Sequence, residues 1–171
     1  SGFSNPVNAA SVLMKFDTNG NLLWRTVFES TFEGSYTKKI LVDNNDNIYV
    51  LGLGMGSNGL VTRLKKFDTS GIPIWTFYDS NGIGAPINMK LTSDNALLVV
   101  GRGITGIMNG YLKISVDGNL IWNKPGITSP TIGDAAGDSL GNTYIINGEN
   151  TVSNAGSILE KYDPSGILIW S

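Results

Sequence analysis

Four tryptophans divide the chain of 171 residues into units of nearly constant length, and this periodicity constrains the fold most. They stand 51, 47 and 48 residues apart, and each ends a segment that aligns with the others without a gap. The segments are KFDTNGNLLW (15–24), KFDTSGIPIW (66–75), KISVDGNLIW (113–122) and KYDPSGILIW (161–170). A period of about 20–50 residues predicts a repeat architecture in which each unit packs against its neighbours.

Each tryptophan segment has the residue types of a β-hairpin turn. A glycine lies four residues before every tryptophan, and the four are Gly20, Gly71, Gly118 and Gly166. Three of these glycines follow an aspartate by three residues, at Asp17, Asp68 and Asp163, and Ser115 replaces the aspartate in the third segment. Glycine adopts positive φ freely and aspartate accepts hydrogen bonds from its own turn, so we interpret both as turn residues.

A second hairpin recurs between the tryptophans, as ILVDNNDNIYVLG (40–52), MKLTSDNALLVVG (89–101) and AAGDSLGNTYIING (135–148). Two hairpins per period make four strands, which is the content of one β-propeller blade. The sequence therefore predicts an all-β fold, a β-propeller segment of about three and a half four-stranded antiparallel blades within a larger ring. Residues 1–171 would form one segment, a fragment of a larger protein, with an outer half-blade at 1–28 and blades near 36–78, 86–124 and 131–171.

Composition excludes several classes of function. The chain has no Cys and no His, which excludes disulfides, thiolate metal sites, cysteine nucleophiles and Ser-His-Asp triads. Its 12 Lys and Arg residues stand against 14 Asp and Glu residues and form no basic stripe, which argues against nucleic acid as a partner. No stretch approaches the roughly 18 consecutive apolar residues of a membrane helix, so we expect no membrane insertion.

The stretch from Lys15 to Gly52 resembles the SBBP-type repeat of seven-bladed β-propellers. In that repeat a K-[LF]-[DN]-x-x-G-x-x-x-W hairpin precedes a V-D-x-x-x-N-[IV]-Y-V-x-G hairpin. The resemblance covers nearly the whole chain and weakens at Leu98, at Ser115 and in the glycine-rich stretch 133–141. The family is common in large secreted and cell-surface bacterial proteins. The resemblance thus implies an extracellular or cell-surface location and no single activity.

The candidate motifs for metal, cofactor and catalysis fail on spacing. The stretch 43–47 begins like a calcium loop, but Ile48 and Gly54 stand where a glycine and a carboxylate are required. The glycine string 52–56 precedes a predicted strand, whereas phosphate binding requires a helix. No spacing pairs the loop carboxylates Glu29, Glu33, Asp79, Asp134 and Asp138. We therefore predict no metal, no cofactor and no enzyme activity.

Ligand contacts are expected in the loops along one rim, because variable loops on a repeated scaffold usually carry binding. The apolar side chains available there are Phe32, Tyr36, Met55, Tyr78 and Met108. The tryptophans are expected to pack between neighbouring blades rather than to stack on sugars. The predicted function is a non-catalytic binding or structural module for protein–protein contact or adhesion, with a protein or the remaining blades of the same polypeptide as partner. Carbohydrate recognition through rim aromatics is the alternative.

Overall fold

The computed structural model describes residues 11–28, 36–56, 59–79, 83–102, 109–127, 131–151 and 154–171. Within these ranges every regular element is a β-strand, which confirms the all-β class predicted from the sequence. The strands form four antiparallel sheets in series along the chain. These sheets close no ring within the described ranges.

Strands follow one another in chain order within every sheet. The first sheet contains β1 (Ser11–Phe16) and β2 (Leu22–Phe28). The second contains β3 (Thr37–Val42), β4 (Ile48–Gly56), β5 (Gly59–Phe67) and β6 (Pro73–Asp79). The third contains β7 (Ala85–Leu91), β8 (Ala96–Arg102), β9 (Asn109–Ser115) and β10 (Leu120–Ile127). The fourth contains β11 (Thr131–Gly137), β12 (Thr143–Thr151), β13 (Asn154–Tyr162) and β14 (Leu168–Trp170).

Each four-stranded sheet thus joins two hairpins. We call its first two strands the leading hairpin and its last two strands, which carry the tryptophan segment, the trailing hairpin. The first sheet is a trailing hairpin by its sequence, and no leading hairpin pairs with it in the described residues.

The trailing hairpins turn around their aspartates. Asp17 Oδ1 accepts the backbone N–H of Asn21 at 2.8 Å, and the Asp17 carbonyl accepts the N–H of Gly20 at 3.1 Å. Gly20 has a φ of +83°, a left-handed conformation that glycine adopts without strain. Asp68 and Asp163 hold their turns through the same bonds. The predicted turn chemistry is therefore present in detail.

The leading hairpin of the second sheet turns around Asp43. Its Oδ1 accepts the N–H groups of Asn45 and Asn47, both at 2.9 Å. Its Oδ2 accepts the side chains of Asn47 and Tyr49, also at 2.9 Å. Asp46 supplies the left-handed residue, with a φ of +59°. The stretch that begins like a calcium loop is a hairpin turn whose central carboxylate already has four protein donors.

The core lies between successive sheets. Side chains alternate along a strand, so Ile48 and Val50 of β4 face the first sheet while Tyr49 and Leu51 face the third. The buried cluster between the first and second sheets comprises Leu13, Phe28, Ile48, Val50 and Phe67. The next comprises Tyr49, Leu51, Leu64, Ile83, Met89, Leu97, Val99, Leu112 and Ile114. The last comprises Leu98, Val100, Tyr111, Trp122, Ala135, Ile145 and Tyr162.

Acid is expected to destabilise the turns through their aspartates. The amide of Asn21 lowers the pKa of Asp17, and the amide of Asn142 lowers the pKa of Asp138. A carboxyl with a folded pKa below its unfolded value of about 3.9 stabilises the fold above that pH. This contribution is lost as the pH falls through the folded pKa. We expect the urea midpoint to decrease from about pH 5 to about pH 2.5, with a shallower slope in Asp138→Asn. A pH-independent midpoint in the unmodified chain would contradict this.

Candidate interaction surfaces

Three of the four tryptophans pack against the turn glycine of the following sheet. A Cβ atom built on Gly71 would lie 2.6 Å from Cζ3 of Trp24. The other pairs are Gly118 with Trp75, at 2.9 Å to Cδ2, and Gly166 with Trp122, at 2.7 Å to Cγ. Real Cβ contacts are longer than this, so glycine is required for the space it leaves as well as for its φ.

The indole N–H groups add a polar contact to this packing. Trp24 Nε1 donates to the Thr69 carbonyl and Trp75 Nε1 to the Val116 carbonyl, both at 3.2 Å. Each acceptor lies two residues before the turn glycine of the following sheet. Within the described residues, Trp122 Nε1 is buried and has no acceptor, although Pro164 occupies the equivalent position. The indole therefore packs on the turn glycine whether or not its N–H group donates a hydrogen bond.

Lysines of the tryptophan segments also reach the following sheet. Lys66 Nζ donates to the Val116 carbonyl at 3.0 Å and lies 5.3 Å from the ring centroid of Tyr49. Lys113 is fully buried, where it donates to the Gly141 carbonyl at 2.7 Å and pairs with Asp94 at 2.8 Å. A buried ammonium requires such partners. Tryptophan and lysine together thus connect one sheet to the next.

The two ends of the series leave this contact incomplete within the described part of the chain. Trp170 is 43% exposed, and no turn of the described residues packs on it. A Cβ atom on Gly20 would meet nothing within 4 Å, so its turn receives no indole. The turn glycine of the first sheet thus has no indole ring on it, and the tryptophan of the fourth sheet has no turn glycine against it, among the described residues.

Among the predicted rim residues, Tyr36 and Tyr78 lie at the same end of the second sheet. Their rings are 60% and 44% exposed. Thr37, Gly52, Arg63 and Tyr78 form one row across the four strands, which places Tyr36 and Tyr78 at opposite sheet edges. Three strand spacings separate these edges by roughly 14 Å. Phe32, Met108 and the side chain of Met55 lie outside the described residues, although the Met55 backbone belongs to β4.

Arg63 is a buried charged residue beside this rim that the sequence patterns did not single out. Its side chain is fully buried, and its guanidinium carbon lies 5.8 Å from the ring centroid of Phe28. Gly54 makes room for it, because a Cβ there would lie 3.0 Å from Tyr78 Cε1 and 3.1 Å from Arg63 Cδ. Burial lowers the pKa of Arg63, and Tyr78 opposes this effect. Its signal in the sequence is an arginine within the strand LVTRLKKF.

Two adjoining pockets open between the first and second sheets. The larger, of about 220 Å³, is lined by Val12, Leu13, Phe28, Thr37, Lys38, Lys39, Ile40 and Val50. The smaller, of about 180 Å³, is lined by Leu13, Met14, Lys15, Trp24, Ile40, Val42, Asp46 and Ile48. Leu13 and Ile40 line both. Their walls combine apolar residues with lysines, Thr37 and Asp46.

The described carboxylates that were candidates for catalysis have structural partners. Asp79 is buried and accepts the N–H of Ile83 at 2.7 Å. Asp134 pairs with Lys90 of the third sheet, and Asp138 holds its own turn. Glu29 and Glu33 lie outside the described residues. Among the residues that are described, no three Asp or Glu side chains cluster in a way that could hold a metal ion.

No helix long and apolar enough to cross a membrane occurs in the described ranges. No protein-family model matches the chain, and no curated protein is significantly similar to it. Among solved structures, the chain is similar to the crystal structure of a protein of unknown function from Bacteroides caccae. That similarity has a TM-score of 0.41 and 11% sequence identity, and it covers 90% of this chain and 71% of the other.

The packing role of the turn glycines predicts a difference between two equivalent substitutions. Gly71→Ala and Gly20→Ala both place alanine at positive φ, +78° and +83°, which costs about 1 kcal/mol in either variant. Gly71→Ala also drives a methyl group into Trp24, and such overpacking costs about 1–3 kcal/mol more. Urea denaturation should show the larger loss for Gly71→Ala. Equal losses would mean that the indole shifts freely.

A matched pair of tryptophan variants tests the contact from its other side. Trp122 is 7% exposed and Trp170 is 43% exposed, although both end the same segment. Trp122→Ala should lower the free energy of unfolding by about 3–5 kcal/mol, because it empties a buried site. Trp170→Ala should cost less than about 1 kcal/mol. Similar losses for both variants would show that Trp170 is buried in solution.

Proposed function

We propose that this chain is a non-catalytic binding and structural module that acts through contact with protein. The observation that carries this proposal is the contact between tryptophan and turn glycine, which recurs at three successive interfaces, while Gly20 and Trp170 have no such partner among the described residues. A contact that already joins sheet to sheet is suited to join a further protein surface. We propose that the sheets are successive blades of a β-propeller, because each four-stranded unit is an antiparallel meander packed face to face on the next.

The outer face of the fourth sheet supports protein contact. Ile146 and Leu159 are cross-strand partners on this face, and they are 42% and 47% exposed. Trp170 lies on the same face opposite Lys161, and its ring meets that of Tyr144 at 6.2 Å. The opposite face of the sheet is buried against the third sheet. Contiguous exposed apolar side chains on a soluble domain usually mark an interaction site.

The outer face of the first sheet has the same character. Val12, Met14 and Phe16 alternate with the inward-facing Leu13 and are 43%, 50% and 52% exposed, and Val12 and Met14 also contribute to the lining of the two pockets. Val27 continues the face on the neighbouring strand, opposite Val12. Apolar faces at both ends of a series favour large protein partners over a small ligand, which would need a concave pocket.

We propose a secreted or cell-surface bacterial setting and membership of the SBBP-type repeat family. Both rest on the paired motifs between Lys15 and Gly52. The structural support is indirect: Asp43, Asn47 and Tyr49, which match the V-D-x-x-x-N-[IV]-Y-V motif, form one hydrogen-bonded turn.

Carbohydrate binding is the second candidate function, and the exposure of Tyr36 and Tyr78 favours it. Exposed tyrosine rings can stack on sugars. Tyr36 and Tyr78 belong to opposite edges of the second sheet, so they could contact different residues of an oligosaccharide.

Site-specific photo-crosslinking separates the two functions. A benzoylphenylalanine at Leu159 samples the outer face of the fourth sheet, and the same group at Tyr78 samples the rim. We expect protein adducts from Leu159 in cells that produce the protein, and few from Tyr78. Adducts from neither position, together with glycan-array binding that Tyr36→Ala or Tyr78→Ala removes, would instead establish the carbohydrate function.

A further inference from the structure

The first sheet has an unpaired edge. In the second, third and fourth sheets, the first strand of the trailing hairpin pairs on its other edge with the leading hairpin. These pairs are β5 with β4, β9 with β8 and β13 with β12. Within the described residues, β1 pairs with β2 alone. The edge of β1 that no described residue pairs with has the backbone groups to receive one more antiparallel strand.

The larger pocket matches a site that is filled at the next interface. Leu13, Ile40 and Val50 line the pocket. By the repeat alignment they correspond to Leu64, Met89 and Val99, which form one buried cluster with Leu51 of β4. The exposure of equivalent residues differs accordingly, since Ile40 is 51% exposed and Met89 is 1% exposed. Among the described residues, no side chain of the first interface takes the place that Leu51 takes at the second.

The smaller pocket matches the site of Tyr49. Lys15 and Trp24 line it, and they correspond to Lys66 and Trp75. At the second interface the Tyr49 ring lies 6.1 Å from the Trp75 ring, with Lys66 Nζ 5.3 Å from the Tyr49 centroid. The smaller pocket therefore has the equivalent lysine and indole, and among its described lining residues none corresponds to the Tyr49 ring.

We propose that the two pockets bind the second strand of a further leading hairpin, one that carries an aromatic and an aliphatic side chain two residues apart. Residues i and i+2 of a strand point to the same face, as Tyr49 and Leu51 do. The strand would pair antiparallel with β1, complete the first sheet to four strands and cover Ile40. This inference rests on the proposed propeller arrangement and specifies the chemistry of one partner surface.

The occupant we propose is a hairpin of this repeat type from outside the 171 residues. Each leading hairpin of the described chain is already paired with its own trailing hairpin, so a second folded copy has none to donate. At the two positions that fill the pockets, the leading hairpins carry Tyr49 and Leu51, Leu98 and Val100, and Tyr144 and Ile146. A large side chain followed two residues later by an aliphatic one is thus common to them.

The test joins a copy of residues 36–54 to the front of the full chain through a flexible linker of about ten residues, which gives a high effective concentration. Hydrogen exchange then reports on the backbone of β1. We expect at least a tenfold slower exchange of β1 amides than in the unfused chain. Tyr49→Ala with Leu51→Ala in the added copy should abolish this protection. Val50→Ala in the added copy is the matched control, because that side chain would point away from the second sheet.

Ile40→Arg in the body of the chain tests the same pocket from the protein side. Ile40 is half exposed, so the variant should fold, and it should remove the protection that the added hairpin gives. Leu23→Arg, at an exposed position of the first sheet, should leave the protection intact. Unchanged β1 exchange in the fusion would overturn the proposal.

Light scattering of the unfused chain tests whether a second copy of the chain occupies the two pockets. A concentration-dependent dimer that Ile40→Arg disrupts would overturn the proposal in favour of a second copy, and a monomer would agree with it. Crosslinking at Leu159 tests the fourth sheet, whereas hydrogen exchange of β1 tests the two pockets. A negative result for the proposed function is therefore distinguishable from a negative result for hairpin binding.

Discussion

The contact between an indole ring and a glycine turn is the interaction on which the arrangement of the sheets depends. It joins two requirements at one residue, because Gly71 needs both a left-handed backbone and an absent Cβ. Aspartate holds the turn through hydrogen bonds within the turn itself, which need no neighbouring sheet. The hairpin is thus a locally determined surface, and the tryptophan of the preceding sheet packs on its glycine. Local and tertiary preferences agree here, which is typical of sequences that specify one structure.

The third sheet differs from the second and fourth in all the hydrogen-bonded residues of its leading turn, and not in one of them alone. In the second and fourth sheets the leading turn combines an aspartate, an asparagine and a tyrosine, at Asp43, Asn47 and Tyr49 and at Asp138, Asn142 and Tyr144. The third sheet replaces all three, with Thr92, Ala96 and Leu98. Thr92 Oγ1 now donates to the Ala96 carbonyl at 2.8 Å, and Asp94 pairs with the buried Lys113. A lone replacement would leave a buried polar group without its partner, which is costly.

Sequence patterns predicted the hairpins because turn chemistry acts over four or five residues. The positions of the aspartates, the positive-φ glycines and the strands on either side follow from it. The burial of Arg63 and Lys113 was not predictable in this way, since it depends on which strand of a neighbouring sheet each side chain faces. The same holds for the two pockets, which exist only in the relation of one sheet to the next. Tyr36 and Tyr78 were predicted on one rim, but their separation across the sheet follows from strand order.

The two hairpins of a unit have different physical tasks at an interface. The trailing hairpin supplies Trp24 or Trp75, whose fit against one glycine sets how the next sheet is placed. The leading hairpin supplies the volume that excludes water, as the 51% exposure of Ile40 and the 1% exposure of Met89 show. A sheet with only a trailing hairpin can therefore dock in the correct position and still leave pockets behind it. Since packing over area is the larger source of stability, an interface of this kind is positioned by tryptophan and stabilised by the strand that fills the space beside it.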